Sequence, residues 1–201
     1  VASSSSITSI PPSLSFYAHF ECGNLLKATR VGPCEYNLVI RADVNTIGYC
    51  QWFYFAVTLP NIKYDPYRMY RFNLINLSKD KSLYNEGMKP LMFDCSQNHL
   101  GWRRTGNGIR YARNNMPKPS RPGLKSKDAD DSYYTLSFTC QFPCDSGPTF
   151  LLAHSYPYSY TDHCNHMKLV MNNKTKMPHI RRNVLCYTIS GRECDLLTIT
   201  D

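Results

Sequence analysis

Apolar and polar residues alternate with a period of two along much of the chain, and this pattern limits the fold more than any other sequence feature. In "YYTLSFTCQF", residues 133–142, every second side chain from Tyr134 to Phe142 is apolar, and the side chains between them are mostly polar. Successive side chains of a β-strand point to opposite faces of a sheet. The segment is therefore predicted to be an antiparallel strand with one buried face.

Seven other segments have strand-like composition, and turn-forming residues separate them. The eight candidates are residues 15–21, 34–42, 49–59, 67–77, 90–95, 108–113, 133–142 and 149–156. In two of them the residues predicted to face inward are Tyr36, Leu38 and Ile40, and Tyr70, Phe72 and Leu74, whereas Met69, Arg71 and Asn73 are predicted to face outward. The segment at 49–59 is apolar on both faces and is expected at the centre of a sheet. The set predicts an all-β fold, an antiparallel β-sandwich of about eight strands.

One short helix is predicted near "TDHCNHMKLVMNN", residues 161–173. Its N-cap is predicted to be Thr161 or Asp162, because these side chains can accept hydrogen bonds from the first turn. The side chains predicted to share one side of it are His166, Leu169 and Val170.

Two polar segments are predicted to lie outside the regular elements. Residues 1–15, "VASSSSITSIPPSLS", have the composition of a flexible linker and lack the features of a signal peptide. Residues 114–131 are basic, contain three prolines and lack aromatics. They predict a solvated loop, and an unstructured insertion is favoured over a contact with an acidic partner.

Composition narrows the class of protein. The formal charge is +8, from 23 Lys and Arg against 15 Asp and Glu. This charge attracts nucleic acid, membrane surfaces or acidic polypeptides, although a basic surface that only aids solubility explains it as well. No apolar run is long enough to span a bilayer.

The nine cysteines are irregularly spaced, which favours reduced, mostly buried thiols in a cytosolic protein. Two glycosylation sequons, at Asn76 and Asn173, do not overturn that interpretation.

The stretch "AHSYPYSYTDHCNH", residues 153–166, raises the question of a metal site. Its candidate ligands are His154, His163, Cys164 and His166. The last three are crowded into less than two helical turns, and Cys164 would point away from His163 and His166. Packing and surface histidines are the favoured interpretation. No serine-nucleophile, metalloprotease or phosphate-loop motif occurs in the chain, so no catalytic residue is predicted.

Aromatic and basic residues mix in "GWRRTGNGIRYARNN", residues 101–115. The set consists of Trp102 and Tyr111 with Arg103, Arg104, Arg110 and Arg113. Such residues can hold single-stranded nucleic acid, and arginine forks also fit carboxylates. The alternative is a hairpin around "TGNG" with arginines on its exposed face.

Five stretches together resemble one known family. They are "FECGNLLKA" at 20–28, "QWFYF" at 51–55, "YRFNLINL" with "YNEGMKPLM" at 70–92, "HSYPYSYT" at 154–161 and "VLCYTISGRECDLLTIT" at 184–200. In this order and spacing they resemble the N-terminal domain of the cytosolic carboxypeptidases, the tubulin deglutamylase family of zinc metallocarboxypeptidases. The resemblance covers residues 16–200.

The resemblance implies a β-sandwich that precedes an α/β carboxypeptidase domain. Residues 1–15 are then a linker, 16–183 the sandwich, and 184–201 the first hairpin of the carboxypeptidase domain, with a turn at 190–192. In that family the zinc ligands and catalytic residues belong to the second domain. The parent protein is expected to be a zinc enzyme that removes glutamates from glutamylated tubulin, whereas this chain itself is expected to hold no cofactor, metal ligand or catalytic residue.

The resemblance also implies two partners. Tyr156, Pro157, Tyr158 and Tyr160 match a Tyr-Pro-Tyr segment of the family and are expected to dock the carboxypeptidase domain. Acidic glutamylated tubulin tails are the second expected partner, and Trp102, Arg103, Arg104, Arg110 and Arg113 are their candidate contacts. A cytoplasmic location at microtubules or cilia follows, with no membrane partner, and nucleic acid is disfavoured.

Two alternatives stay open at this point. One is a stand-alone basic sandwich that binds nucleic acid or carbohydrate through Trp102, Tyr111 and the arginines. The other is a microtubule-associated pseudoenzyme that kept the sandwich after its catalytic half degenerated.

Overall fold

The chain divides into two compact units, Val1–Pro157 and Tyr158–Asp201. The computed structural model describes residues 11–60, 65, 67–119, 132–143 and 147–200. Most of the predicted linker 1–15 and of the predicted loop 114–131 therefore lies outside the described residues. The predicted domain boundary between residues 183 and 184 stays a prediction.

Two five-stranded sheets make up the first unit. The strands are β1 (Ser15–Tyr17), β2 (Leu25–Gly32), β3 (Glu35–Ile40), β4 (Tyr54–Thr58), β5 (Met69–Leu77), β6 (Leu91–Asp94), β7 (Arg103–Arg104), β8 (Asn107–Pro117), β9 (Ser132–Gln141) and β10 (Thr149–Ala153). The first sheet has the order β1-β4-β10-β6-β7 and the second the order β2-β3-β5-β9-β8. All pairs are antiparallel except β3 with β5, which run parallel.

The inward faces of the two sheets share one hydrophobic core, which confirms the predicted sandwich. The first sheet contributes Phe55, Val57, Met92, Phe150 and Leu152, and the second contributes Tyr36, Leu38, Ile40, Tyr70, Phe72, Leu74, Leu136, Phe138 and Cys140. Burial of each large apolar side chain is worth about 1.5–3 kcal/mol. The predicted inward faces of 34–42, 67–77 and 133–142 are all present in this core.

The predicted strands differ from the observed ones where the neighbouring strand, and not the sequence pattern, determines whether a strand forms and where it begins. Strand β4 begins at Tyr54, not at Tyr49, because its neighbour β10 ends opposite it at Ala153. Strand β2 was not predicted, since Leu25 is its only buried residue and its other side chains are at least partly exposed. It lies at the edge of the second sheet, where alternation is weak.

Asparagine side chains of β5 complete the second sheet. Asn73 was predicted to face outward, and it is nevertheless buried because it bonds to Glu35, Asn37 and Ser137 on neighbouring strands. The pairing of β5 is irregular between Leu74 and Leu77. There, Asn76 accepts a bond from the Ile40 N–H at 2.9 Å and donates to the Ile40 carbonyl at 2.8 Å. The amide of this sequon asparagine is therefore a structural element of the core.

The second unit consists of a helix and a hairpin. Helix α1 spans Tyr160–Met171, and strands β11 (Ile180–Tyr187) and β12 (Glu193–Ile199) pair antiparallel. Gly191 adopts a positive φ of 74° in the connecting turn. The hairpin expected near 184–200 is thus present and starts four residues earlier. None of the helices in the described ranges has the length and hydrophobicity needed to cross a bilayer.

The N-cap of α1 is Ser159, so the prediction of Thr161 or Asp162 was wrong. Ser159 and Asp162 form a capping box, in which each side chain accepts a hydrogen bond from the other residue's backbone N–H. The predicted helix face was also wrong. The buried side chain of α1 is Met167, whereas His166 and Leu169 are exposed.

Replacement of Asn76 by Ala should lower the free energy of unfolding by about 2–4 kcal/mol, because the Ile40 N–H and carbonyl lose their partners in a buried site. Urea unfolding followed by circular dichroism measures the change. Asn85→Ala is the matched control, because Asn85 is exposed, and it should stay within about 0.5 kcal/mol of the wild type. Equal stability of the two variants would show that the Asn76 bonds contribute little.

Candidate docking surfaces

Strands β7 and β8 carry the four candidate arginines, but on two different sheets. β7 pairs with β6 at the edge of the first sheet, and β8 pairs with β9 at the edge of the second. The alternative prediction of a hairpin around "TGNG" is therefore wrong. The chain crosses between the sheets at Gly106, which has a φ of 100°, a backbone conformation that residues with a side chain rarely adopt.

The charge of this region is unbalanced. No Asp or Glu occurs between Asp94 and Asp128, although that interval contains eight Lys and Arg. Arg103, Arg104 and Arg110 are exposed. Among the described residues no carboxylate forms an ion pair with them. These guanidinium groups are available to an external anion.

The arginines are held to different degrees. Arg104 donates to the Lys89 carbonyl at 2.6 Å, and its guanidinium carbon lies 5.9 Å from the centre of the Tyr156 ring. Arg113 donates to the Ser132 hydroxyl at 3.4 Å. Arg110 lies opposite Ser137 on the outer face of the second sheet. The structure therefore brings Arg104 together with Tyr156. It places Arg103 and Arg104 on the first sheet, and Arg110 and Arg113 on the second.

Trp102 belongs to an aromatic face that the sequence analysis missed. Its ring lies 5.8 Å from that of Tyr54 and 5.3 Å from that of Phe93. The row continues from Tyr54 to Phe20 at 4.8 Å and from Phe20 to Tyr17 at 5.9 Å. The signal for this face was the apolar character of both sides of residues 49–59. Trp102 is half-buried and packed against other rings, which disfavours it as a free platform for nucleobases.

Hydrogen bonds connect the turn at residues 22–24 with residues 52–54, which belong to this aromatic face. The Asn24 side chain bonds to the Trp52 carbonyl and accepts from the Tyr54 N–H at 3.1 Å. The Trp52 indole donates to the Cys22 carbonyl at 2.8 Å. A Cβ on Gly23 would lie 2.4 Å from the Ala18 carbonyl oxygen, so only glycine fits there. These contacts give "FECGN" and "QWFYF" a shared structural role.

The tyrosine strip, residues 156–160, has exposed rings in both units. In the first unit Tyr156 follows β10 and is 60% exposed. In the second unit Tyr158 is 63% exposed, and Tyr160 is the first residue of α1, with the Arg192 guanidinium 4.5 Å from its ring centre. Tyrosine rings of this kind offer a broad apolar surface with a polar tip.

The candidate metal ligands have other roles. The His154 Nδ1 lies 3.0 Å from the Tyr84 hydroxyl, beside the rings of Trp52 and Phe53. Burial, aided by the charges of Lys79 and Arg104, lowers the pKa of His154. In the second unit the His163 Nε2 lies 3.1 Å from Asp195, which also accepts from Arg182 at 2.7 Å.

No three His, Cys, Asp or Glu side chains in the described ranges come together as a metal site. The Arg182 guanidinium, followed by His163, holds the pKa of Asp195 below its usual range. This carboxylate, whose side chain is 7% exposed, is therefore an ion-pair partner within the second unit.

The expected burial of the thiols is wrong for most of them. Cys50 and Cys140 are buried, whereas Cys22, Cys95 and Cys186 are exposed. The remaining described cysteines, Cys34, Cys164 and Cys194, are half-buried. Cys144 lies outside the described residues.

Comparisons with known proteins agree on one family. A family model described as the cytosolic carboxypeptidase N-terminal domain matches residues 16–120. Cytosolic carboxypeptidase 2 of Macaca fascicularis is 42% identical over 191 residues, which are 94% of this chain and 21% of that protein. The Homo sapiens protein of the same name is 41% identical, with 94% of this chain and 20% of that protein covered. The chain thus spans about a fifth of the curated relatives it matches.

Solved structures agree on the fold. A metallo-carboxypeptidase from Burkholderia cenocepacia has a TM-score of 0.58 at 18% identity, covering 93% of this chain and 40% of that one. A metallo-carboxypeptidase from Pseudomonas aeruginosa, in complex with (2-guanidinoethylmercapto)succinic acid, has a TM-score of 0.56 at 20% identity, covering 91% and 39%.

Replacement of His154 by Asn should weaken the pH dependence of stability. Because the folded state lowers the pKa of His154, the unfolded chain binds more protons as the pH falls below about 6.5, and acidification costs stability. Asn cannot take up this proton, while its carbonyl can still accept from the Tyr84 hydroxyl. Urea unfolding at pH 8, 6 and 5, each protein referred to its own value at pH 8, should show a smaller loss for the variant. Identical losses would show that His154 is not responsible.

Proposed function

This chain belongs to the cytosolic carboxypeptidase family as its N-terminal domain, and we propose that it is the non-catalytic partner of a zinc carboxypeptidase domain in the same protein. The family model covers the sandwich from residue 16 to residue 120, and this confirms the resemblance found in the sequence. The proposed role is to support the folding of the carboxypeptidase domain and to shape the approach of its substrate.

The exposed hairpin of the second unit is the observation that carries this proposal. Apolar side chains of the hairpin are exposed, among them Leu185 and Tyr187 of β11, Ile189 of the connecting turn and Ile199 of β12. A two-stranded sheet is at best marginally stable in water. We propose that β11 and β12 form the first hairpin of the carboxypeptidase domain, whose further strands and helices would cover these side chains.

The tyrosine strip is the proposed second contact with that domain. Tyr156 and Tyr158 are exposed, and Pro157 between them restricts the backbone. Rigid aromatic rings bury much area at a low entropic cost when a partner covers them. In the second unit Tyr160 is the first residue of α1.

The proposed reaction of the whole protein is the removal of glutamates from glutamylated tubulin. Zinc and the catalytic residues are proposed for the carboxypeptidase domain, as the resemblance to the family implies. The proposed location is the cytoplasm, at microtubules or cilia. The exposed Arg103 and Arg104 are the proposed contacts for the acidic tail, since guanidinium groups fit carboxylates.

A chimeric enzyme tests the domain role. This chain replaces the matching 191 residues of Homo sapiens cytosolic carboxypeptidase 2. The chimera should be soluble and release glutamate from a glutamylated peptide, whereas the protein without the domain should aggregate. The double variant Tyr156→Ala, Tyr158→Ala should lower the unfolding temperature of the chimera by several degrees, because it removes two rings that the carboxypeptidase domain is proposed to cover. A chimera as insoluble as the deleted protein would contradict the proposal.

The acidic-tail contact is tested with the chain alone. An oligoglutamate peptide should bind at low salt, and Arg103→Glu with Arg104→Glu should weaken it by about tenfold, since two attractions become repulsions. Lys174→Glu with Lys176→Glu is the control of equal charge, because these lysines are exposed in the second unit. If both pairs of substitutions weakened binding equally, the net charge of the chain would explain the effect, and Arg103 and Arg104 would not be specific contacts. Tighter binding of a single-stranded oligonucleotide than of oligoglutamate would favour the nucleic-acid alternative.

A further inference from the structure

Two cysteines face each other across the hairpin of the second unit. Cys186 of β11 and Cys194 of β12 are direct partners in the antiparallel register. Among the described cysteines, no other two occupy paired positions on neighbouring strands. Directly paired residues of antiparallel strands have Cα atoms about 4.5–5.5 Å apart. This distance lies within the range of about 4.4–6.8 Å that disulfides require, so a bond needs little backbone movement.

The two thiols differ in their surroundings. Cys186 is exposed and Cys194 is half-buried. The charge of the Cys186 thiolate and a hydrogen bond with it raise the pKa of Cys194. This effect on Cys194 is expected when the two sulfur atoms lie close together. Exposure makes Cys186 the thiol that an oxidant meets first, and proximity makes Cys194 the thiol that reacts next.

We propose that Cys186 and Cys194 are a redox modification site, which closes to a cross-strand disulfide when the protein meets a peroxide. The Cys186 thiolate attacks one peroxide oxygen, so that an S–O bond forms, the O–O bond breaks, and the leaving hydroxide takes a proton to become water. The Cys194 thiolate then attacks the sulfur of this sulfenic acid, so that the S–S bond forms and the S–O bond breaks, and the leaving hydroxide takes the proton that Cys194 lost to become a second water. The two thiols lose two electrons and two protons, and hydrogen peroxide is reduced to water.

The disulfide fixes the register of the hairpin. The pairing is irregular between Val184 and Cys186, where Leu185 is the additional residue of β11. A bulge leaves its extra residue unpaired and disrupts the ladder of hydrogen bonds locally. A covalent link directly beside it holds β12 in one register. A thiol reductant reverses the link, since exposed disulfides are the labile ones.

The sequence supplies a direct test. Arg182 and Arg192 are trypsin sites, so digestion places Cys186 in peptide 183–192 and Cys194 in peptide 193–201, with no other cysteine in either. The 201-residue chain is treated with one equivalent of hydrogen peroxide, blocked with iodoacetamide, digested without reductant and analysed by mass spectrometry. The two peptides should appear joined, two hydrogen atoms lighter than their sum, and should separate with dithiothreitol.

Variants separate a specific pair from general thiol oxidation. Cys22→Ser with Cys95→Ser removes two other exposed thiols and should leave the joined peptides at the wild-type level. Cys194→Ser should abolish them and let Cys186 accumulate as sulfenic acid, which dimedone traps. Two results would overturn the proposal: Cys186 joined to other cysteines as often as to Cys194, or oxidation of both residues to sulfinic acid without joined peptides. The test needs no carboxypeptidase domain, so it is independent of the proposed function.

Discussion

The packing of aromatic rings between the two sheets is the interaction on which the rest of the first unit depends. Phe72, at the centre of the second sheet, contacts Phe16 of the first sheet at 6.1 Å and Phe138 of its own sheet at 5.8 Å. Phe142 and Phe150 continue the contact between the sheets at 4.7 Å. Because these rings hold the sheets together, they also fix the edge strands β7 and β8 and the arginines that these strands present.

Alternation in the sequence predicted the sandwich because burial acts on one strand at a time. The inward residues of β3, β5 and β9 follow from their own segments alone. The bonds of Asn73 and Asn76 do not, since they depend on which strands become neighbours. The parallel pairing of β3 with β5 is hidden for the same reason. Strand β2 escaped prediction because an edge strand with exposed faces has little alternation.

The sequence predicted which residues belong to the candidate surfaces, but not how the fold arranges them. Closeness in sequence suggested one basic hairpin, whereas the crossing at Gly106 places Arg103 and Arg104 on one sheet and Arg110 and Arg113 on the other. Similarly, the histidines of 153–166 looked like one group of ligands. Instead, His154 packs in the first unit beside Tyr84, and His163 pairs with Asp195 in the second. In both cases residues that are close in the sequence belong to different strands or helices, and the fold therefore separates them.

The contrast between satisfied and unsatisfied groups explains why such a domain suits a supporting role. Three polar groups of its interior, Asn73, Asn76 and the His154 ring, have partners inside their own unit. The exposed groups are of another kind: guanidinium groups at a sheet edge, tyrosine rings at 156 and 158, and apolar side chains on a two-stranded hairpin. A catalytic centre concentrates polar groups in a shielded cavity, whereas these groups face outward. Their burial requires another protein surface, and the proposed carboxypeptidase domain of the same polypeptide would supply one at high effective concentration.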